Sequence, residues 1–181
     1  IRSVLAVTKT FIPERPTPDG AGRAPVTVED ACFFLAEFAN GAMGSFEAST
    51  LAPGRRNYNQ FEVYGSEGSL AFNQERANEL QFFSLADGEE VRGLRTILVT
   101  ERVHPYMAAW WPPGHPIGYE HSHYHVIYEF LLAIHEGRPA SPNFYDGWRG
   151  MQVLDAILLS AEKGQKVLVG EAQGLDTPLT L

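Results

Sequence analysis

One segment, ACFFLAEF at positions 31–38, constrains the fold more than any other part of the chain. Successive side chains of a strand point to opposite faces of its sheet, and here both faces are apolar. One face would carry Cys32, Phe34, Ala36 and Phe38, and the other Ala31, Phe33 and Leu35. Such a strand lies in the middle of a sheet that is covered twice. Helices can cover one face, and a second layer or another subunit must cover the other.

Turn signals and strand-like segments continue through the first hundred residues. Asn40-Gly41 directly follows the doubly apolar segment and predicts a hairpin with a type I′ turn, which needs a positive φ at both central residues. Further strands are predicted at 3–11, 60–72 (a second hairpin that turns at 65–68), 79–86 and 94–101. The proline-rich segment 12–25 is predicted to be a surface loop. We therefore expect a mostly antiparallel meander.

Apolar residues at helical spacing dominate the rest of the chain and predict two helices. The first runs from Tyr119 to a glycine stop at Gly137, and the second begins at the capping residue Asp146 and stops at Gly164. Its apolar stripe comprises Trp148, Met151, Leu154, Leu158 and Ala161. A short strand over 165–170 follows. Strands first and helices last indicate an α+β domain, an open antiparallel sheet with helices packed on one face.

Composition excludes several classes of partner. The net charge of −8 argues against nucleic acid and anionic membranes, because both select basic faces. No stretch is apolar for long enough to span a bilayer, and without a secretory signal we expect a cytoplasmic protein. The single cysteine, Cys32, has apolar neighbours and is expected to be a buried, inert thiol. The chain begins at Ile1 within strand-like sequence, which suggests a piece of a longer protein.

Three histidines alternate in YEHSHYH at the start of the first predicted helix. At about 100° per residue, His121 and His125 lie one turn apart in a row that Glu129 continues, whereas His123 falls in the apolar arc. The three imidazoles therefore cannot converge on one metal ion. A site built on His121 and His125 with outside ligands is a minor alternative to a polar helix edge. His123 is predicted to be a hydrogen-bonded core or interface histidine.

Loops rich in aromatic, histidine and arginine residues are the remaining candidates for a site. They carry Arg55, Tyr58, Trp110, Trp111, His115, Tyr119 and His121. Aromatic faces with a few hydrogen-bonding tips suit a polyhydroxylated ligand such as a sugar. A proline-braced aromatic plug over the sheet edge explains the same residues equally well. The sequence contains no nucleophile elbow, zinc-protease motif or phosphate-binding loop.

Three segments together resemble a known family. VEDACFFLAEFANGAMGSFEAS, FEVYGSEGSLAF and the long C-terminal block around EGRPASPNFYDGWRGMQVLDAILLSAEKG are similar to the C-terminal domain of the glucose–fructose oxidoreductase, inositol dehydrogenase and rhizopine-catabolism (Gfo/Idh/MocA) family. The resemblance implies an NAD(P)-dependent oxidoreductase that acts on a sugar, inositol or related polyol. It also implies that the uncovered sheet face packs against another subunit, and that a Rossmann domain precedes this one.

The resemblance places the chemistry mostly outside this chain. The family's glycine fingerprint, its Glu-Lys-Pro lysine and the Asp and His of its catalytic helix should all precede Ile1, so no catalytic or metal-binding residue is expected here, and no cofactor is expected to bind. Gly65 and Gly68 match a structural turn. By the resemblance, His115, Tyr119 and His121 match the segment that approaches the substrate. Trp111 and Arg55 are added as predicted substrate-binding residues because they belong to the aromatic, histidine and arginine loops described above.

These observations lead to one prediction with alternatives. Residues 1–170 are predicted to be the substrate-binding and oligomerisation domain of a two-domain dehydrogenase, inactive without its NAD- or NADP-binding domain, and 171–181 a C-terminal tail. The partners would be a small sugar or polyol and further copies of the chain. The main alternative is a non-catalytic assembly or sugar-binding domain. A histidine-based metal enzyme is a third and less favoured possibility.

Overall fold

The computed structural model describes residues 1–170 in two compact units. The first unit combines Ile1–Pro53 with the chain from Ser141 onward, and the second is Gly54–Ala140. Both contain antiparallel sheet, and each contributes one long helix, so the α+β class is confirmed. Two four-stranded sheets replace the single meander that the strand pattern suggested. The predicted tail at 171–181 lies outside the described residues.

The first unit is built on a four-stranded antiparallel sheet in the order β10-β1-β4-β5. Its strands are β1 (Ser3–Lys9), β4 (Ala31–Glu37), β5 (Met43–Ser49) and β10 (Val167–Leu168). The segment expected to be only a surface loop forms a separate hairpin of two three-residue strands, β2 (Glu14–Pro16) and β3 (Arg23–Pro25). Proline is compatible with these strands because both lie at an edge, where no ladder bond is lost.

The helix of this unit, α2 (Phe144–Lys163), packs on β1 with a different face from the predicted stripe. Its buried residues are Gln152, Ala156, Ile157 and Ser160, whereas Met151, Leu154 and Leu158 are each about half exposed. The core also contains Val4, Ala6, Ala36 and Val167. Ala156 and Ser160, two small residues, have no exposed surface in this interface. The larger apolar stripe is left on the outside.

The doubly apolar strand β4 has one covered and one open face. Ala36 is fully buried in the core and Phe34 packs against that core, whereas Phe33 and Leu35 on the opposite face are 44% and 50% exposed. Further apolar residues share this open face across the register, namely Leu5, Val7 and Met43. The predicted covering by helix is therefore observed on one face only. We call the other, defined by these five residues, the open sheet face.

The hairpin after β4 forms as predicted but with another turn. Only Gly41 has a positive φ, at +88°, so the type I′ geometry expected for Asn40-Gly41 is wrong. The N–H of Phe38 donates to the Ala42 carbonyl, and the N–H of Gly41 donates to the Phe38 carbonyl. The loop thus has three residues with a left-handed glycine at its end, the next commonest hairpin connection.

The second unit contains the later part of the predicted meander as a separate antiparallel sheet in the order β6-β7-β8-β9. Its strands are β6 (Gln60–Tyr64), β7 (Gly68–Asn73), β8 (Glu79–Ser84) and β9 (Arg95–Leu98). Gly68 is required by packing, because a Cβ there would lie 2.4 Å from the carbonyl oxygen of Phe83. A long segment then leads to helix α1 (Tyr119–Glu136), which ends at Gly137 as predicted.

The start of α2 differs from the prediction by one capping residue. Asn143, not Asp146, is the N-cap, and its side-chain oxygen accepts from the N–H groups of Tyr145 and Asp146 at 2.8 and 3.3 Å. The Asp146 carboxylate in turn accepts from the Asn143 N–H at 2.8 Å. This reciprocal arrangement satisfies otherwise unpaired donors of the first turn. Gly164 ends the helix as predicted.

Candidate functional site

The candidate site lies in the second unit, where the segment 101–118 contacts one row of α1. That row is the predicted one, with His121, His125 and Glu129. Each of the three side chains forms a hydrogen bond with a residue of the segment. The segment is anchored at its end by Asn78, whose side chain accepts from the Ile117 N–H and donates to the Ile117 carbonyl, both at 2.9 Å. The histidine row is therefore a contact surface rather than a solvated edge.

His121 serves both the helix and the site. Gly118 is the N-cap of α1 and has no side chain with which to cap it. The His121 ring binds the N-cap residue itself, because its Nδ1 accepts from the Gly118 N–H at 3.0 Å. The edge of its ring faces Trp110 at a centroid distance of 4.4 Å, and its side chain is only 12% exposed. The exposed carboxylate of Glu120 lies 3.6 Å from the same nitrogen.

His125 is held between two aromatic side chains. The indole N–H of Trp110 donates to His125 Nε2 at 2.8 Å, and the Tyr106 ring stacks on the imidazole at 4.2 Å. Burial lowers the pKa of His125, and the neighbouring His121 lowers it further. Both effects favour the neutral imidazole at physiological pH.

Tyr106 connects this pair to a charged cluster. Its hydroxyl donates to Glu129 Oε1 at 2.9 Å, which raises the pKa of the Tyr106 phenol, and Glu129 Oε2 pairs with Arg138 at 3.2 Å. Glu136 also pairs with Arg138, and the two carboxylates raise the pKa of this guanidinium. Tyr106 has a φ of +67°, a left-handed conformation that costs a non-glycine residue about 1–3 kcal/mol. Its stacking and hydrogen bond hold it there.

Of the predicted site residues in this segment and helix, His121 is enclosed by other side chains, whereas Trp111, His115 and Tyr119 are exposed. His121 joins the Trp110 and His125 cluster, whereas Trp111 is 63% exposed beside it. His115 is exposed with its Nδ1 2.9 Å from the Pro112 carbonyl, and the exposed Tyr119 contacts His123 edge-on at 4.8 Å. His123 is itself exposed, so the core half of its prediction is wrong, and the interface half stays a prediction.

Arg55 has partners of its own. Its guanidinium lies 3.8 Å from the centroid of the Tyr58 ring and pairs with Glu75 at 3.6 Å. Neither partner belongs to the histidine cluster. Tyr106 was not a candidate from the sequence, whereas Trp110 was one of the loop candidates and His125 belonged to the metal alternative, and neither was selected as substrate-binding. The helical row that contains His121 and His125 was the signal for His125, but no periodicity selects Tyr106, or Trp110 over Trp111, in an irregular segment.

Two further predictions concern metals and the thiol. Within residues 1–170, no three His, Cys, Asp or Glu side chains are grouped so that they could hold a metal ion. His121 Nδ1 and His125 Nε2 both accept hydrogen bonds, so these lone pairs are already engaged. Cys32 is partly buried, and burial raises the pKa of its thiol, which disfavours the reactive thiolate.

No helix in the described part of the chain is long and apolar enough to cross a membrane.

Comparison with known proteins gives consistent matches over nearly the whole chain. Residues 3–169 match the protein-family model described as 'Oxidoreductase family, C-terminal alpha/beta domain'. Levoglucosan dehydrogenase of Pseudarthrobacter phenanthrenivorans is 42% identical over 174 residues, which cover 89% of this chain and 44% of that protein. The chain thus spans less than half the length of this curated relative.

Solved structures agree in fold. An oxidoreductase domain protein from Kribbella flavida is 46% identical with a TM-score of 0.89, covering 94% of this chain and 45% of that one. Levoglucosan dehydrogenase in complex with NADH and levoglucosan is 43% identical with a TM-score of 0.87, again covering 94% and 45%. Its complex with NADH and L-sorbose has a TM-score of 0.88 at 43% identity, covering 93% and 45%.

Proposed function

Since the chain belongs to the Gfo/Idh/MocA oxidoreductase family as its C-terminal α/β domain, we propose that it is the substrate-side and assembly domain of an NAD(P)-dependent dehydrogenase of sugars or related polyols. The observation that carries this proposal is the similarity, over nearly the whole chain, to levoglucosan dehydrogenase solved with NADH and a sugar. We propose NAD as the nicotinamide cofactor of the intact enzyme, because the similar levoglucosan dehydrogenase was solved with NADH. Cytoplasmic location stays a prediction.

The site geometry supports a sugar-facing surface. Next to the ordered Trp110–His125 pair, the exposed side chains of Trp111, His115 and Tyr119 offer aromatic faces and polar tips. Aromatic planes and a few fixed hydrogen-bonding groups suit the alternating apolar and hydroxyl surfaces of a sugar. His121, Tyr119, His115, Trp111 and Arg55 are therefore proposed to bind the substrate. We propose no catalytic and no metal-binding residue in this chain.

The division of labour follows from what the chain contains. When bound, the nicotinamide ring supplies the hydride acceptor, and we expect a nucleotide-binding part of the intact enzyme to hold it. This chain's residues would bind and orient the sugar so that its reacting carbon faces that acceptor. The chain alone is then inactive and binds no cofactor.

The open sheet face supports the assembly role. It exposes Leu5, Val7, Phe33, Leu35 and Met43 on neighbouring strands, and contiguous apolar patches on soluble proteins mark interaction sites. In a two-fold symmetric dimer the same surface of both subunits forms the interface, and an apolar sheet face can pack on a second copy of itself in this way. We propose a homo-oligomer formed through this face.

A chimera tests the proposed function. The part of the Pseudarthrobacter phenanthrenivorans enzyme that precedes the matched region would be joined to this chain, and NAD reduction would be followed with levoglucosan, other sugars and inositols. We expect turnover by the chimera and none by the 181-residue chain alone. Turnover by the chain alone would refute the division of labour. A chimera that binds NADH but oxidises no sugar would favour the non-catalytic alternative.

A further inference from the structure

Two histidines one helical turn apart each accept a hydrogen bond from a group that can only donate. A backbone N–H and an indole N–H have no acceptor capacity, so the ring nitrogen that faces either one must be unprotonated. For most histidines the tautomer stays open, because both partners can exchange roles. Here both tautomers follow from the contacts.

For His121 the donor is the Gly118 N–H. It reaches Nδ1 at 3.0 Å, so a neutral His121 carries its proton on Nε2. No protein group in the described part of the chain hydrogen-bonds to that Nε2. The Glu120 carboxylate at 3.6 Å from Nδ1 is 65% exposed, and solvent screens its effect. His121 therefore offers one N–H donor from an otherwise enclosed ring.

For His125 the donor is the Trp110 indole. It reaches Nε2 at 2.8 Å, so a neutral His125 carries its proton on Nδ1, the opposite tautomer. The Tyr106 ring covers one face of this imidazole, and Glu129 fixes the Tyr106 hydroxyl. The same Trp110 ring packs against His121 edge-on. His125 thus fixes Trp110, and Trp110 fixes the His121 ring.

We propose that Trp110 and His125 are positioning residues that hold His121 with its Nε2–H directed to a substrate oxygen. This inference rests on the proposed function, in which His121 binds the sugar. His125 contributes through the indole, because its Nε2 accepts the Trp110 N–H at 2.8 Å and so fixes the ring that packs against His121. A ring fixed on both sides pays little entropy when it binds, and such preorganisation improves affinity without adding contacts.

The tautomers can be measured directly on the 181-residue chain by long-range ¹H–¹⁵N correlation NMR of its imidazoles at pH 8, above the ordinary histidine pKa. We expect His121 to carry its proton on Nε2 and His125 on Nδ1. Trp110→Phe keeps an aromatic ring and removes the donor, so His125 should shift towards the Nε2–H tautomer. Trp148→Phe on α2 is the matched control and should change neither ring. The same tautomer in both wild-type histidines would overturn the inference.

The functional arm uses the active chimera described above. Losing one positioning hydrogen bond should raise KM for the sugar by up to about tenfold, with a smaller change in kcat. Trp110→Phe should show this split, and Trp148→Phe should not. Unchanged KM in Trp110→Phe would refute the positioning role even if the tautomers are as expected. A chimera that oxidises no sugar would refute the proposed function instead, whereas the NMR result would stand, so the two failures are distinguishable.

Discussion

Ser160→Ala should destabilise the first unit far more than the loss of one oxygen atom suggests. Ser160 is fully buried, and its hydroxyl accepts from the Ala6 N–H at 2.9 Å and donates to the Gln165 carbonyl at 2.7 Å. Among residues 1–170, strand β10 pairs with Ser3 and Val4 of β1, and the next inward-facing N–H, that of Ala6, has the Ser160 hydroxyl as its partner. Alanine would leave a buried N–H unsatisfied, which costs about 1–3 kcal/mol, and would lose a second hydrogen bond worth about 1 kcal/mol.

We therefore expect Ser160→Ala to lower the free energy of unfolding by about 2–4 kcal/mol, measured by urea denaturation of the chain. The Ala6 amide should also exchange with solvent at least about tenfold faster, since 1.4 kcal/mol corresponds to a factor of ten. Ser122→Ala is the matched control: its exposed hydroxyl donates only to the Tyr119 carbonyl within α1, and little change is expected. Equal, small effects of the two substitutions would refute the role assigned to Ser160.

Three further substitutions test other parts of the structure. Gly68→Ala should lower the thermal midpoint clearly, because its Cβ would meet the Phe83 carbonyl, whereas Gly22→Ala, with no atom near its Cβ, should not. Backbone N–H groups and Arg15 hold the pKa of the Asp30 carboxyl below its ordinary value, so its ionised form stabilises the fold at neutral pH and this contribution is lost as the pH falls through the lowered pKa. Asp30→Asn should therefore be destabilising at pH 7 in urea titrations, with a deficit that shrinks below about pH 4; a deficit that does not change with pH would contradict this. Leu35→Lys on the open sheet face should convert an oligomer to monomer in light scattering with its circular dichroism preserved, and an unchanged mass would contradict the proposed interface.

Local signals predicted the elements well because they depend on a few neighbouring residues. Gly137 and Gly164 both end their helices with positive φ, and the hairpins at residues 38–42 and 64–68 lie where the glycines placed them. The row of His121 and His125 followed from helical spacing alone. Even the error at Asn40-Gly41 concerned the turn type and not the position of the hairpin.

Choices between two equivalent alternatives could not be made from the sequence. Helix α2 is apolar on both sides, and only tertiary packing selects the face with Ala156 and Ser160 over the larger Leu154 stripe. Trp110 and Trp111 are identical neighbours in an aperiodic segment, and the backbone path decides which of them meets His125. The exposure of His123 likewise depends on what covers the apolar arc of α1.

The Gly118–His121 hydrogen bond makes the start of a helix and a proposed ligand contact into one thermodynamic unit. Opening of the first turn of α1 would break this bond and remove one of the two contacts that hold the His121 ring, the other being Trp110. By reciprocity, a ligand that binds the held ring more tightly than the released one would stabilise that turn by the same coupling free energy. Sugar binding would then slow hydrogen exchange at the Gly118 amide. The Gly118–His121 hydrogen bond would thus couple occupancy of the site to the order of the first turn of α1.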